Sequence, residues 1–469
     1  APEEAGGRAA VVCVVGLSGR LLAEMPRLQA WLADGARAAP VRPAFPAVTC
    51  VAHAAMTTGA PVAEHGVVAN GWAQRDEKEP RNWRQADSMV RGEKVWQKLR
   101  KLVPGFRVHR LFWWFNMWSD ADIAVTPRPQ YWNDGRKGPD IYTQPPQLRH
   151  ELQRELGVFP LHRFWGPFTS IASSEWIAKA AVRLEKEHSP TLQFVYLPHM
   201  DYSLQKQGPD PSDPAVAKDL GEIDTLVGDL VDFYEARGVD VILVSEYGIT
   251  PVSRAVHINR HLRDHGYITV RDEVGGETLD TGACRAWAMA DHQVAHVYLN
   301  GADPAEVKRV LLQLEGVEQV LDQQQQQDQG LWVPDRSGDL LAVADSESWF
   351  TYYYFDEHAK PDFAECVNIH RKPGYDPCEM LHNSFSDTFA FAQALWFLAK
   401  NKLGLRASLR LTPTDQAHRI RGSHGRVPED QADWPVCMLR DAALLPAKGG
   451  HLAAEDICAI IEKSVTKRP

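Results

Sequence analysis

The runs L-Q-F-V-Y-L at 192–197 and V-D-V-I-L-V at 239–244 are short, largely apolar and rich in β-branched or aromatic residues. Between them, Leu220, Ile223, Leu226, Val227, Leu230, Val231 and Tyr234 recur at helical spacing within 215–237. Strands apolar on both faces belong inside a parallel sheet, and the period between them is that of a helix lying on it. A similar run at 10–15 ends at Gly16, and a helix over 25–34 follows it. Polar motifs come directly after the strands: H-M-D-Y-S-L-Q after 197 and S-E-Y-G-I-T after 244. That order predicts a doubly wound α/β sheet whose site lies along the C-terminal edge of its strands.

The stretch 43–72 reads P-A-F-P-A-V-T-C-V-A-H-A-A-M-T-T-G-A-P-V-A-E-H-G-V-V-A-N-G-W. The small and apolar run 50–58 is a buried helix by composition, stopped by Gly59 and Pro61. Thr49 stands at its mouth. A hydroxyl there faces unpaired N–H groups and the positive end of the helix dipole, a position suited to a nucleophile for phosphate chemistry. The same residue type is also a favoured helix cap, so the position alone leaves both roles open. Asn70 follows the turn at His65-Gly66, where its amide is placed to donate to a phosphoryl oxygen or simply to close a turn before Gly71.

Taken together, F-P-x-x-T, T-G, H-G-x-x-x-N, L-P-H-M-D-Y-S-L-Q-K-Q-G-P (197–209), S-E-Y-G-I-T (245–250) and G-S-H-G (422–425) resemble the type I phosphodiesterase and nucleotide pyrophosphatase branch of the alkaline phosphatase superfamily. Within that branch the chain is similar to a divergent bacterial subgroup of alkaline phosphatase family proteins with altered metal ligands. The resemblance implies an alkaline-phosphatase-like three-layer sandwich over 8–460, with a central mostly parallel sheet and inserted cap and small lobe. It implies a hydrolase of phosphodiester or pyrophosphate bonds in a small phosphorylated molecule, acting through a transiently phosphorylated Thr49 with Asn70 holding the phosphate. Two other readings stand beside it: a non-hydrolytic relative binding a phosphorylated or prenylated small molecule, and a phosphoryl transferase.

Members of this branch hold two zinc ions, and here the ligand pattern departs from theirs. The first-strand Asp position is Val15, the His four residues after Asp201 is Gln205, and the Asp-His pair of S-D-H-G is Glu246-Tyr247. Asp201, Glu246 and His424 remain as metal ligands, with His370, in I-H-R-K-P-G-Y-D-P, the expected recruit. Asp291-His292 and His199 are further places from which ligands are available, whereas His296 reads as a core histidine. Zinc normally takes three protein ligands, so fewer than two zinc ions of the usual kind are expected. A carboxylate-rich set suits Mn²⁺ or Mg²⁺ as well as Zn²⁺.

Residues 71–165 form an expected aromatic-rich cap: nine of the fifteen Trp lie between 72 and 176. That patch is either loop packing or a substrate wall, with Trp113 and Trp114 stacking on a leaving group, Arg128 and Lys137 reaching phosphate, and Tyr247 beside them. Residues 265–345 read as a small α/β lobe, with strands at 296–299 and 317–321 and a helix at 304–314. The Gln run 323–327 reads as a solvated loop. A net charge of -10 gives no electrostatic footprint for nucleic-acid polymers or for an anionic membrane. No apolar run reaches the length of a membrane span. The first ten residues lack the apolar core of a signal peptide, and seven scattered cysteines suit reduced thiols, so a cytoplasmic location is expected. A signal removed before Ala1 is compatible with this sequence, and oligomeric state is left open.

Overall fold

The computed structural model describes residues 7–134 and 136–467, so the first six residues, which enter the reading of the N-terminus, lie outside it. Nine strands form the central sheet: β1 (Ala9–Val14), β2 (Arg37–Arg42), β3 (Val108–Leu111), β4 (Ile123–Pro127), β5 (Ile141–Gln144), β6 (Leu192–Leu197), β7 (Asp240–Val244), β12 (Val436–Leu439) and β13 (Leu452–Ala453). Their order is β13-β2-β12-β7-β1-β6-β3-β4-β5. The centre from β7 to β4 is parallel, and β12 and β5 run antiparallel to their neighbours. Every residue of β1 is buried, as an inner parallel strand requires.

Helices cover both faces. On one lie α1 (Pro26–Ala33), α3 (Ala172–His188) and α5 (Pro214–Glu235), whose apolar stripe from Val216 to Tyr234 is buried. On the other, α2 (Thr49–Thr58) packs against α8 (Asp456–Thr466), which also contacts β1. Three more helices bear on the site or the surface: α4 (His199–Gln207), α6 (Pro304–Leu311) and α7 (Asp387–Lys402). This is the expected α/β sandwich with a mixed, mostly parallel sheet.

Residues 108–144 depart from the expected cap. They supply β3, β4 and β5 of the central sheet rather than standing outside it. Strands of four or five residues, broken by Phe112, Phe115 and Trp118 at positive φ, leave too little alternation to read as sheet. Residues 286–344 supply a four-stranded antiparallel sheet of β8 (Ala286–Asp291), β9 (Val294–Leu299), β10 (Val317–Leu321) and β11 (Leu340–Ala344), in the order β8-β9-β11-β10. Gln323–Asp328 is helical rather than a loop. Asp322 caps it, exchanging hydrogen bonds with Gln325, and Gln326 is buried.

Candidate functional site

Thr49 is the first residue of α2, and Val48, extended at φ -133°, takes the cap position without a side-chain bond. The hydroxyl is therefore not spent on capping. It is buried at the mouth of the helix, 3.4 Å from the Tyr247 hydroxyl. Asn70 does the capping from outside: its Oδ1 accepts the Cys50 N–H at 3.0 Å. Its amide Nδ2 donates to Asp291 Oδ1 at 3.1 Å and its backbone N–H to Asp291 Oδ2 at 2.8 Å, which leaves the second amide hydrogen unclaimed. Asp291, at the end of β8, thus holds Asn70 against the helix.

Four rings stack beside Thr49. Tyr247 lies on His424 (3.5 Å between centroids, 7° between planes), His424 on His292 (3.7 Å) and His292 on Tyr375 (3.7 Å). The hydroxyls at both ends return to one pair of residues on α4. Tyr247 donates to Asp201 Oδ1 at 3.2 Å, Gln205 Nε2 to Asp201 Oδ2 at 2.8 Å, and Tyr375 to Gln205 Oε1 at 3.1 Å. Gln205 and Tyr247, two of the positions where the metal pattern is lost, thereby satisfy both oxygens of Asp201.

The two imidazoles are oriented by their Nδ1 contacts. His424 Nδ1 donates to Ala47 O at 2.7 Å and His292 Nδ1 to Asp291 Oδ1 at 2.7 Å. Each Nε2 then carries a lone pair, buried and without a partner among the described residues. Burial pushes both imidazoles well below the ordinary histidine range, so both are neutral.

Glu246 occupies a different setting. It is fully buried, and neither oxygen makes a well-formed hydrogen bond. His53 Nε2 lies 3.0 Å from Oε1, and Cys13, His53 and Glu246 bring ligand atoms within 4.8 Å of one another. His53 Nδ1 accepts the Trp114 N–H at 3.1 Å, which puts the ring proton on Nε2, facing Glu246. The protonated Nε2 thus faces the carboxylate without a well-formed hydrogen bond to it, and His53 offers a metal no lone pair there. Burial raises Glu246 to about 8, Asp201 to about 7 with Glu246's charge assisting, and Asp291 to about 6.

The chemistry of these donors decides what metal they fit. Val15 is a buried apolar side chain, and Gln205 and Tyr247 are engaged with Asp201. Among the described residues, the family's second-zinc positions keep no complete ligand set; His199, Asp219 and Glu222 form a separate group of possible ligands on the helical layer. Glu246, raised to about 8, keeps its proton at neutral pH, and a cation beside it would take that proton's place.

Other expected residues lie elsewhere. His370 is exposed, its Nδ1 facing Asn82 O at 3.3 Å, and no hydrogen bond or ion pair joins it to Asp201, Glu246 or His424 among the described residues. It is bracketed instead by the charges of Lys137, Arg84 and Arg128, with Lys137 and Arg128 themselves exposed. Trp113 is a core residue, buried and stacked on His53 at 4.0 Å, so it offers no wall to a substrate. Trp114 is half-buried, 5.2 Å from Trp83, which lies 6.2 Å from Tyr375. His199 faces Glu222 at 3.0 Å on the helical layer, and His296 is the core histidine it was expected to be. Sequence reasoning missed Cys13 and His53, as well as the way Asp291, His292 and Tyr375 assemble. Only the unusual density of His and Tyr near D-H and G-Y-D pointed there.

A family model for type I phosphodiesterase / nucleotide pyrophosphatase matches residues 9–376. Among solved structures, the chain is similar to phosphonoacetate hydrolase from Sinorhizobium meliloti in complex with phosphonoacetate, at 16% identity and a TM-score of 0.60, covering 98% of this chain and 96% of that one. It is also similar to an inactive variant of murine ectonucleotide pyrophosphatase / phosphodiesterase 5 in complex with AMP, at 14% identity and a TM-score of 0.58, covering 99% and 96%. These identities carry the fold alone. No curated protein matches the chain. With the profile spanning most of its length, the chain belongs to the type I phosphodiesterase / nucleotide pyrophosphatase family and is a phosphoric ester hydrolase of that type.

Proposed function

We propose that this hydrolase cleaves a phosphodiester or pyrophosphate bond in a small molecule through attack of Thr49 on phosphorus. The observation that carries the reading is the Thr49 hydroxyl at the mouth of α2, free of a capping role because Val48 and Asn70 fill that role between them. Attack forms the Thr49 Oγ1–P bond and releases the leaving-group oxygen; water then displaces Thr49 and regenerates the hydroxyl. The open amide hydrogen of Asn70 is placed for an equatorial phosphoryl oxygen, and Asp291 fixes the direction of that amide. Arg84, Arg128 and Lys137, gathered about His370, give an approaching anion a cationic rim. Half-buried Trp114 and Trp83 offer an aromatic surface beside Tyr375.

Glu246, the Cys13 thiol and the Thr49 oxygen would hold a single divalent ion, with His53 Nε2 facing Glu246 Oε1. When bound, that ion supplies positive charge against the phosphoryl oxygens. A sulfur ligand in the set favours zinc over magnesium.

The test is acid-quenched turnover of bis-p-nitrophenyl phosphate followed by peptide mass analysis. Wild type is expected to show a phosphorylated Thr49 peptide. Thr49→Ala should lose that peptide and at least about a thousandfold in kcat, while Thr49→Ser keeps part of the rate. An Ala variant that cleaves at the wild-type rate would make Thr49 a structural residue.

A further inference from the structure

Eight of the fifteen large apolar side chains exposed among the described residues lie between 385 and 405. The segment is built on α7, sixteen residues long, of which only Ala390 is buried. Successive residues turn by about 100°, so Phe389, Phe391, Leu395, Trp396 and Leu398 leave the axis over much of its circumference. Their exposures run from 42% to 63%. A helix apolar on so many sides belongs in an apolar surrounding, and the protein covers only a strip of this one.

Charge says what the surrounding is. Residues 385–411 carry Lys400, Lys402, Arg406 and Arg410 against one acid, Asp387, in a chain whose net charge is -10. Lys402, Arg406 and Arg410 are exposed, and Lys400 Nζ lies 5.2 Å over the Trp396 ring. Arg136 donates to Asn401 O at 3.1 Å, which brings the exposed Tyr131 and Trp132 to the same end of the helix. Aromatic rings interleaved with cations at one end of an apolar helix match the boundary between acyl chains and anionic headgroups. At about 24 Å the helix is too short to cross a bilayer, and no helix among the described residues is long and apolar enough to do so.

We propose that α7 and the basic segment after it form a membrane-surface anchor. The apolar side chains enter the headgroup–acyl boundary of an anionic bilayer, and Lys400, Lys402, Arg406 and Arg410 meet lipid phosphates. A second copy of this chain would bring the same excess of cations to the contact, which disfavours it as the partner.

Sedimentation of the full chain with vesicles tests this. Binding is expected to mixed phosphatidylcholine–phosphatidylserine vesicles, with much weaker binding to phosphatidylcholine alone or at high salt. Two variants, Leu395→Ser/Trp396→Ser/Leu398→Ser and Lys400→Glu/Lys402→Glu, should each weaken binding by about tenfold or more. Their circular dichroism and Tm should stay at wild-type values, because all the serine sites are exposed. The proposal is overturned if neither vesicle type binds, or if both variants bind as wild type does. It is equally overturned if light scattering without vesicles shows a dimer that the triple-serine variant dissociates, since a second copy then covers the face.

Discussion

Replacing Glu246 by Gln should stabilise the protein at alkaline pH while leaving it nearly unchanged at acidic pH. Burial holds the Glu246 carboxyl at about 8, against an ordinary 4.5, and neither oxygen has a well-formed donor. A carboxyl raised on folding adds stability that is complete below its unfolded value and is lost as pH rises through the folded value. The window for Glu246 therefore runs from about 4.5 to about 8, and the loss across it is worth about 5 kcal/mol. That is a large share of the roughly 5–15 kcal/mol by which domains are stable. Gln keeps the shape and carries no charge. Urea unfolding at pH 5, 7 and 9, with chelator present, measures the effect. Wild type and variant should agree to within about 1 kcal/mol at pH 5 and diverge by several at pH 9. Asp291 titrates alike in both proteins, whereas Asp201 is released from the Glu246 charge in the variant, so the difference between the two profiles reports Glu246 together with its effect on Asp201. Zinc added at pH 9 should close the gap by stabilising wild type alone. Superposed profiles would refute the claim that Glu246 is a buried carboxylate without a compensating donor.

Where local pattern decides structure, the chain could be read directly. The apolar runs ending at Leu197 and Val244 are central strands, and Leu220 to Tyr234 face the core from α5. Thr49 was legible because a helix mouth is a local feature: a small-residue run, a Gly stop and a hydroxyl before them. The changes at Val15, Gln205 and Tyr247 were also legible as lost ligands. What replaced the ligands was not, because it is a property of contact. Tyr375 reaches Gln205 across 170 residues of chain, and Asn70 reaches Asp291 across 221. Cys13 looked like any strand cysteine until Glu246 was placed beside it, and His53 like a buried helix residue until the Trp114 N–H set its tautomer. Strands β3 to β5 were hidden for another reason. Their neighbourhood is crowded with aromatic residues at positive φ, which read as loop although they pack a sheet edge.

Asn70→Ala should cost about 1 kcal/mol of stability as a lost cap, but about a hundredfold in kcat as a lost phosphoryl donor. A variant that melts earlier yet turns over fully would reverse that assignment, and Asp291→Asn, which loosens the same amide, should shift kcat in the same direction. The metal content follows from the clasp on Asp201. With both its oxygens taken by Tyr247 and Gln205, and with Val15 unable to coordinate, protein purified without chelator should hold no more than one zinc per chain. Gln205→His with Tyr247→His removes both bonds to Asp201 and adds two imidazoles beside it, the one at 247 against His424, whose Nε2 lone pair is buried and unclaimed among the described residues. Asp201, His424 and the two introduced rings then bring carboxylate and imidazole to the same space, so the double variant should gain up to one further equivalent of zinc by elemental analysis. Two equivalents already present in dialysed wild type would show that Tyr247 and Gln205 do not close the site, and the argument from the clasp would fail with it.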